Sequence, residues 1–344
     1  MIKVGLIGIG GMGRMHYNCY NNNPNAQIVA MCDVDERKIQ GDWSSIGLNI
    51  ETEGSNIVDL SGIKTYSDYN ELIKDPDVEL VDICLPTPQH AQVTIAALKA
   101  GKDVLCEKPM AFTEAECAQM EEALSQSGRQ LLIGHCLRYW PHYVKAKEII
   151  DSGEHGKVLA ARFHRSSGTP WWSWQNWLAT GTQSGGAVLD MHIHDVDTAL
   201  WWFGEPQSIT ADGLVIDGLP VSVEAIWRYD NGPLVQLYGN WDNNGGPFQY
   251  GFKVVMEKAT LVHDPAIGAA HLTLIRGGRD GDQSEEIEVP DDLAYQKEID
   301  DYVACLNEGR KLERVTPQAS RLSVATIWEE LRQIEEKNNF KLCS

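Results

Sequence analysis

Residues 2–13 read IKVGLIGIGGMG, an apolar run followed by glycines at 8, 10, 11 and 13. The run predicts a short strand, and the chain beyond it predicts a helix from about Met12 to Asn21. Gly8-Ile9-Gly10-Gly11-Met12-Gly13 therefore fits G-x-G-x-x-G between a strand and a helix. In that setting the first glycine allows a tight turn and the second lets backbone approach a pyrophosphate. The third lets helix and strand pack closely. The helix N-terminus adds free N–H groups and the positive end of its dipole. Glycine turns are common, so the motif alone is a weak signal. Asp33 sharpens it, because it ends the next strand, AQIVAMCD, about 20–25 residues on, where a carboxylate can bind both ribose hydroxyls of NAD. That carboxylate would repel the extra phosphate of NADP, although Arg37 and Lys38 one turn later soften the exclusion. Capping the next turn is the plainer job for Asp33.

The alternation continues outward. ELVDICLP reads as a third strand, QHAQVTIAALKAG as a helix ending on Gly101, and DVLCEKP as a strand. TEAECAQMEEALSQSG reads as a helix ending on Gly128, and RQLLIGH as one more strand, whereas the polar stretch 40–60 reads as loop. Short apolar strands alternating with helices imply a doubly wound parallel sheet. After about His135 tryptophans cluster, and VSVEAIWRYD, LVQLYGNWD, YGFKVVMEKATLVHD and AAHLTLIRGG alternate. These predict a large, mostly antiparallel open sheet, with turns at Asp230-Asn231-Gly232 and Asn243-Asn244-Gly245-Gly246. Two helices close the chain, Ala294 to Glu308 and Pro317 to Lys337. The expected division is a nucleotide-binding domain at 1–134 and an α/β substrate and oligomerisation domain at 135–344, the closing helix packing back on the first.

Bulk properties narrow the function classes. A chain of 344 residues exceeds one compact core, which agrees with two domains. A formal charge of −20 argues against nucleic acid or anionic membrane as partner. No apolar run approaches the roughly 18 residues that span a bilayer, and the glycine-broken start does not resemble a signal peptide. Eight cysteines without C-x-x-C pairing look like reduced thiols of a cytoplasmic protein, with no zinc site.

Two further stretches carry candidate chemistry. Cys84 to His90, CLPTPQH, lies at the carboxyl end of the third predicted strand, where such sheets bind ligands, and Thr87 can hydrogen-bond a cofactor there. Glu107 and Lys108 end the following strand, and Pro109 disfavours helix at Lys108. A lysine in a drying cleft can polarise a substrate oxygen; the plain alternative is a surface Glu107–Lys108 pair worth little. In Ser184 to Gly204, SGGAVLDMHIHDVDTALWWFG, one apolar helix carries Asp190 and His194 at i and i+4 on one face. The carboxylate can orient an imidazole that accepts a hydroxyl proton near neutral pH. His192 falls on another face and is expected to bond locally. A metal site of His192, His194 and Asp195 is disfavoured, because such neighbours cannot easily converge on one ion.

Together these stretches resemble the Gfo/Idh/MocA family, the relatives of glucose–fructose oxidoreductase and inositol dehydrogenase. The quoted motifs are Gly8-Gly10-Gly13, TPQH (87–90), ALKAGKDVLCEKP (97–109) and GGAVLDMHIHDVD (185–197). The resemblance implies a Rossmann domain joined to an α/β domain whose open sheet often mediates homo-oligomers. It also implies NAD- or NADP-dependent oxidation or reduction of a sugar, polyol or related carbohydrate. Lys108, Asp190 and His194 match the family's catalytic residues, while His90 and Glu107 match residues on the nicotinamide side. His135, which precedes the basic-aromatic pair Arg138-Tyr139, and His192 depart from the usual pattern and bear on substrate choice. Trp174, Asn176 and Trp177, in SSGTPWWSWQNWLATG (166–181), are expected to wall the substrate pocket, the rings stacking on sugar C–H faces. A core patch or oligomer contact is the plain alternative. The rival functions are a redox-neutral glycoside-cleaving enzyme that retains its NAD, and a non-catalytic NAD-binding sensor.

Overall fold

The computed structural model describes residues 1–47, 55–241, 246–277 and 281–342. It divides into two compact units: Met1–Cys136, Trp172–Trp177 and Leu293–Val324 form the first, and Leu137–Trp171, Leu178–Asp292 and Ala325–Ser344 the second.

In the first unit β1 (Ile2–Ile7), α1 (Gly11–Asn21), β2 (Ala26–Cys32), α2 (Glu36–Ile39), β3 (Lys64–Tyr66) and α3 (Tyr69–Lys74) are followed by β4 (Leu80–Ile83), α4 (His90–Lys99), β5 (Asp103–Glu107), α5 (Glu114–Ser127) and β6 (Leu131–Gly134). The strands form one parallel sheet in the order β3-β2-β1-β4-β5-β6. That is a doubly wound order whose direction of winding reverses between β1 and β4, the place where open α/β sheets bind ligands at their carboxyl edge. β4 and β6 are buried at every position, as a sheet covered by helices on both faces requires. ELVDICLP, expected as the third strand, is the fourth: β3 is three largely exposed residues, too short and polar to register as an apolar run. α5 starts on a capping box in which Thr113 and Glu116 exchange hydrogen bonds.

In the second unit α6 (Pro141–Ser152), β7 (Val158–Ser166), α7 (Gly181–Ser184), a π turn over Ala187–Met191, and α8 (Ile193–Phe203) come first. β8 (Ser208–Asp212), β9 (Val215–Ile216), β10 (Leu219–Pro220), β11 (Ser222–Arg228), β12 (Leu234–Asn240), β13 (Gln249–Met256), β14 (Thr260–Asp264), β15 (Ala269–Arg276) and β16 (Gln283–Ile287) follow. β9 and β10 form a small hairpin, and the other strands an eight-stranded sheet in the order β16-β15-β14-β13-β7-β12-β11-β8. All its pairings are antiparallel except β7 with β12. β11 alternates buried and exposed residues, so one face meets the core. β11 turns into β12 through Tyr229–Gly232, with Asn231 at φ 61°. The second expected turn, at 243–246, lies almost wholly outside the described residues. Phe163, Trp202, Phe252 and Tyr143 pack edge-on or tilted in the core, with centroids 5.0 to 6.4 Å apart.

The closing helices are α9 (Ala294–Glu308) and α10 (Pro317–Asn338). α9 belongs to the first unit, where Tyr302 Oη lies 2.8 Å from the Val104 carbonyl oxygen and 3.0 Å from that of Gln130. α10 starts in the first unit, Thr316 Oγ1 accepting the Ala319 N–H, and continues into the second from Ala325. Among the described residues no helix is long and apolar enough to cross a membrane.

A stacked pair of histidines predicts acid sensitivity in the second unit. His142 of α6 and His263 of β14 stack at 4.2 Å, and burial together with the His142 ring pushes His263 down to about 4. A histidine depressed from an ordinary value near 6.5 contributes stability fully above that value, and loses it as pH falls toward 4. In urea unfolding followed by tryptophan fluorescence, the share of the stability lost between pH 7 and pH 4 that belongs to His263 should be on the order of 3 kcal/mol. His263→Phe should lose clearly less over the same interval; an identical pH dependence would refute the assignment.

Candidate active site

The turn after β1 is shaped by close backbone approach. Gly8 holds φ +92°, and a Cβ there would stand 2.6 Å from the Cys84 carbonyl oxygen at the end of β4. At Gly13 a Cβ would stand 2.0 Å from the Gly8 carbonyl oxygen, so helix and turn pack without room for any side chain. Gly10 differs: nothing lies within 4 Å of the place its Cβ would take. The α1 N-terminus beside it has no side-chain cap and no acidic residue in its first turn. Its orphan N–H groups and the open space at Gly10 suit a pyrophosphate.

Asp33 ends β2 beside this turn. Its Oδ2 accepts the Ile9 N–H at 2.7 Å and its Oδ1 the Asp35 N–H at 2.9 Å, so the carboxylate braces the glycine turn. Lys38, not Arg37, is its cationic neighbour, with Nζ 3.5 Å from Oδ2 and both side chains buried. The exposed Arg37 guanidinium instead forks onto Asp35 at 2.8 and 3.2 Å. In the loop after β4 the Thr87 hydroxyl is buried with no hydrogen-bond partner, an orphan that a bound cofactor can satisfy. Open glycine, uncapped helix, ribose-edge carboxylate and orphan hydroxyl all fit NAD.

The structure gives His90 and Glu107 other work than the nicotinamide contact expected of them. His90 is buried, and its ring nitrogens lie 2.7 Å from the Pro109 carbonyl oxygen and 2.8 Å from that of Leu85. Neither nitrogen is left for a ligand; the ring ties the loop after β4 to the end of β5. The Glu107 carboxylate is buried, its Oε1 3.1 Å from His16 Nε2 and its Oε2 accepting the Lys108 N–H at 3.0 Å. Lys108 itself is half-buried at the carboxyl end of β5, and its peptide bond to Pro109 is cis. Burial pushes the Glu107 carboxyl up, but the hydrogen bond and charge of His16 outweigh it and hold the group below its ordinary value.

In the second unit the expected single helix is two segments. Asp190 sits in the π turn and His194 in α8, joined at His192, whose N–H bonds the Ala187 carbonyl five residues back. Such π turns recur at functional sites. From Ser184 to Leu200 every residue is fully buried except these two. The pair is the one accessible edge of a dry segment.

The remaining polar groups of that segment are committed. His192 does not bond locally as expected: its Nε2 lies 3.0 Å from Glu330 Oε2 in α10, whose Oε1 accepts Trp227 Nε1–H at 2.8 Å. Asp195 takes a fork from Arg165 at 3.1 and 3.2 Å. Asp197 takes one from Arg138 at 2.8 and 2.9 Å, so Arg138, expected to bind substrate, is a buried structural partner of α8. These bonds also remove His192 and Asp195 from any metal site. His135 is buried at the end of β6. Trp174 is 46% exposed, as Trp172 is, and Trp171 is 66% exposed. Gln175 and Asn176 hold φ 50° and 56°, a strained pair of the kind that costs about 1–3 kcal/mol per residue. Trp177 is half-buried.

Sequence reasoning missed His16 and Asp82. His16 Nδ1 lies 2.8 Å from Asp82 Oδ2, both side chains wholly buried. The available signal was an aspartate in the middle of the apolar run ELVDICLP. His16, Asp82 and Cys84 are the one group of possible metal donors among the described residues. Both ring nitrogens already meet carboxylates and burial pushes the Cys84 thiol up, so the cluster is a hydrogen-bonded one.

The profile for the oxidoreductase family with an NAD-binding Rossmann fold, Gfo/Idh/MocA, matches residues 2–135, and that for the Gfo/Idh/MocA C-terminal domain matches 143–262. An inositol 2-dehydrogenase of Rubrobacter xylanophilus is 31% identical over 78% of this chain and 73% of its own length. One from Salmonella typhimurium is 33% identical over 59% of this chain, which spans about half, 55%, of that relative. Among solved structures, levoglucosan dehydrogenase in complex with NADH and levoglucosan shares the fold at TM-score 0.82 and 19% identity, covering 98% of both chains. A probable dehydrogenase from Thermotoga maritima does so at TM-score 0.77 and 24% identity, covering 98% of this chain and 97% of that one. The chain belongs to the Gfo/Idh/MocA family of oxidoreductases, and its first unit is that family's NAD-binding Rossmann domain.

Proposed function

We propose that this protein is an NAD-dependent dehydrogenase acting on a ring hydroxyl of an inositol-like polyol or a sugar. The observation that carries the proposal is Lys108 at the carboxyl end of β5, two strands from the glycine turn in the order β1-β4-β5. The names of the relatives, inositol 2-dehydrogenases, support the substrate class.

In this proposal the cradle residues Gly8 to Gly13 and Asp33 hold the cofactor, with Thr87 completing the contact. NAD supplies the two-electron oxidant when bound. The Lys108 ammonium donates to the substrate oxygen and stabilises the alkoxide that develops on it. His194 accepts the hydroxyl proton, and Asp190, one turn earlier, orients the ring and stabilises its cation. Asp33 favours NAD over NADP by repelling a second ribose phosphate, an effect that Lys38 at 3.5 Å weakens.

The deciding experiment follows absorbance of reduced cofactor across inositols, aldoses and glycosides, with NAD and NADP in parallel. Turnover on polyols or sugars is expected, faster with NAD. Tight NAD binding with no turnover on any of them would overturn the proposal in favour of a sensor. Turnover of a glycoside without net cofactor reduction would indicate the redox-neutral route instead.

Two substitution results should accompany it. Lys108→Met should retain NADH binding while kcat falls by roughly 10²-fold or more, and unchanged turnover would remove the lysine from the mechanism. Gly10→Ala should leave the melting temperature nearly unchanged and weaken NADH binding, because its open side is where the cofactor lies. Gly13→Ala should destabilise the first unit by about 1–3 kcal/mol, because its Cβ meets backbone. A Gly10→Ala protein that binds NADH as the wild type does would contradict the cradle.

A further inference from the structure

β4 and β5 are buried strands, yet each carries an ionisable side chain directed at α1: Asp82 within β4 and Glu107 at the end of β5. Both meet one ring. His16 Nδ1 lies 2.8 Å from Asp82 Oδ2, and its Nε2 lies 3.1 Å from Glu107 Oε1. Glu107 Oε2 then accepts the main-chain N–H of Lys108 at 3.0 Å. β6 makes room for this carboxylate by ending in Gly134, where a Cβ would stand 3.1 Å from Oε1 and 3.3 Å from Oε2.

The electrostatics explain why the ring is needed. Burial alone would depress the His16 imidazole, but the Asp82 carboxylate holds it well above its ordinary value. The doubly protonated ring donates from both nitrogens, so Glu107 stays ionised in a dry setting. An ionised carboxylate there without a partner would be costly. Ionised, it makes a charge-assisted bond to the Lys108 N–H, stronger and shorter-ranged in tolerance than a neutral one.

We propose that His16 is a positioning residue for Lys108: through Glu107 it ties the lysine's peptide N–H to the helix that opens at the glycine turn. This rests on the assignment of Lys108 to the substrate oxygen. One fold element thereby carries the cofactor's phosphate site and fixes the backbone of the reactive lysine. Asp82 is the counterweight that holds the ring from its other side.

Two amides separate this role from simple structural support. An asparagine at 16 places its amide nitrogen where Nδ1 stands and keeps the donor to Asp82. A glutamine reaches the place of Nε2 and keeps the donor to Glu107. His16→Gln, which keeps the donor to Glu107 but not the positive charge, should lose clearly less kcat than His16→Asn, which should lower it about 10- to 100-fold, the scale of a small misplacement of a reactive group. KM and the NADH Kd, read by fluorescence, should be similar in the two. Gly134→Ala, which crowds Glu107 from the β6 side, should lower kcat in the same way without touching α1.

A second readout needs no turnover. Reductive ¹³C-methylation gives each lysine a distinct NMR signal, and the signal of Lys108 is assigned by its loss in Lys108→Met. That signal should keep its position in His16→Gln and shift or broaden in His16→Asn and Gly134→Ala. Equal kcat in the two amide variants with an unmoved lysine signal would overturn the proposal. If Lys108→Met itself keeps full turnover, the assignment of Lys108 fails instead, and the NMR comparison still decides whether His16 positions it. Should neither amide variant fold, the Gly134→Ala signal and kcat decide alone, both unchanged counting against the proposal.

Discussion

The architecture of the first unit depends on two backbone turns that come closer than side chains permit. Gly8 after β1 lies against the Cys84 carbonyl after β4, and Gly13 in α1 lies against the Gly8 carbonyl. This contact sits where the sheet reverses its winding, between β1 and β4. It brings the uncapped start of α1 down to the carboxyl edge of the sheet and leaves the open side of Gly10 beside it. The Asp33 carboxylate then locks the turn from the β2 side through the Ile9 N–H. A helix start, a strand end and two loops thus meet at one edge because three positions lack side chains. The same edge carries Thr87 and Lys108, so the cofactor cradle and the candidate reactive group share a rigid base.

Buried charge does the positioning in both units. In the first, His16 stands between Asp82 and Glu107. In the second, the segment carrying Asp190 and His194 is anchored by Arg165 on Asp195, Arg138 on Asp197, and Glu330 on His192. Buried pairs contribute little net stability relative to apolar packing, but losing one partner costs about 3–5 kcal/mol. Their value is directional: forked bonds at 2.8 to 3.2 Å fix the rotation of α8 about its axis. Between Ser184 and Leu200 only Asp190 and His194 are left half-buried.

The parallel sheet was legible because it obeys local rules: apolar runs of four to seven residues, glycines at fixed spacing, helices with recognisable ends. β7 was not, although it lies mid-sheet. Its residues include Arg162, His164 and Arg165, and a strand pattern is hidden when an inward position holds an arginine paired with a distant Asp195. Arg138 and His90 were misjudged for the same reason. Each is a polar residue near a functional motif, and its real partner, Asp197 or two main-chain carbonyls, lies elsewhere along the chain. His192 was assigned a local bond, but its partner is 138 positions away.

The amino-acid sequence alone determined the Rossmann alternation, the nucleotide cradle and the identity of Lys108, Asp190 and His194 as candidates. Glycine spacing and apolar runs encode the first two directly, and the motif resemblance marks the three side chains. Tertiary structure decided which charged groups are available for chemistry and which are consumed in holding the fold. It turned a presumed α-helix into a π turn followed by α8, and it joined His16 to Glu107 across 91 positions. Such pairings depend on which elements pack side by side, and that order is set by the whole core at once.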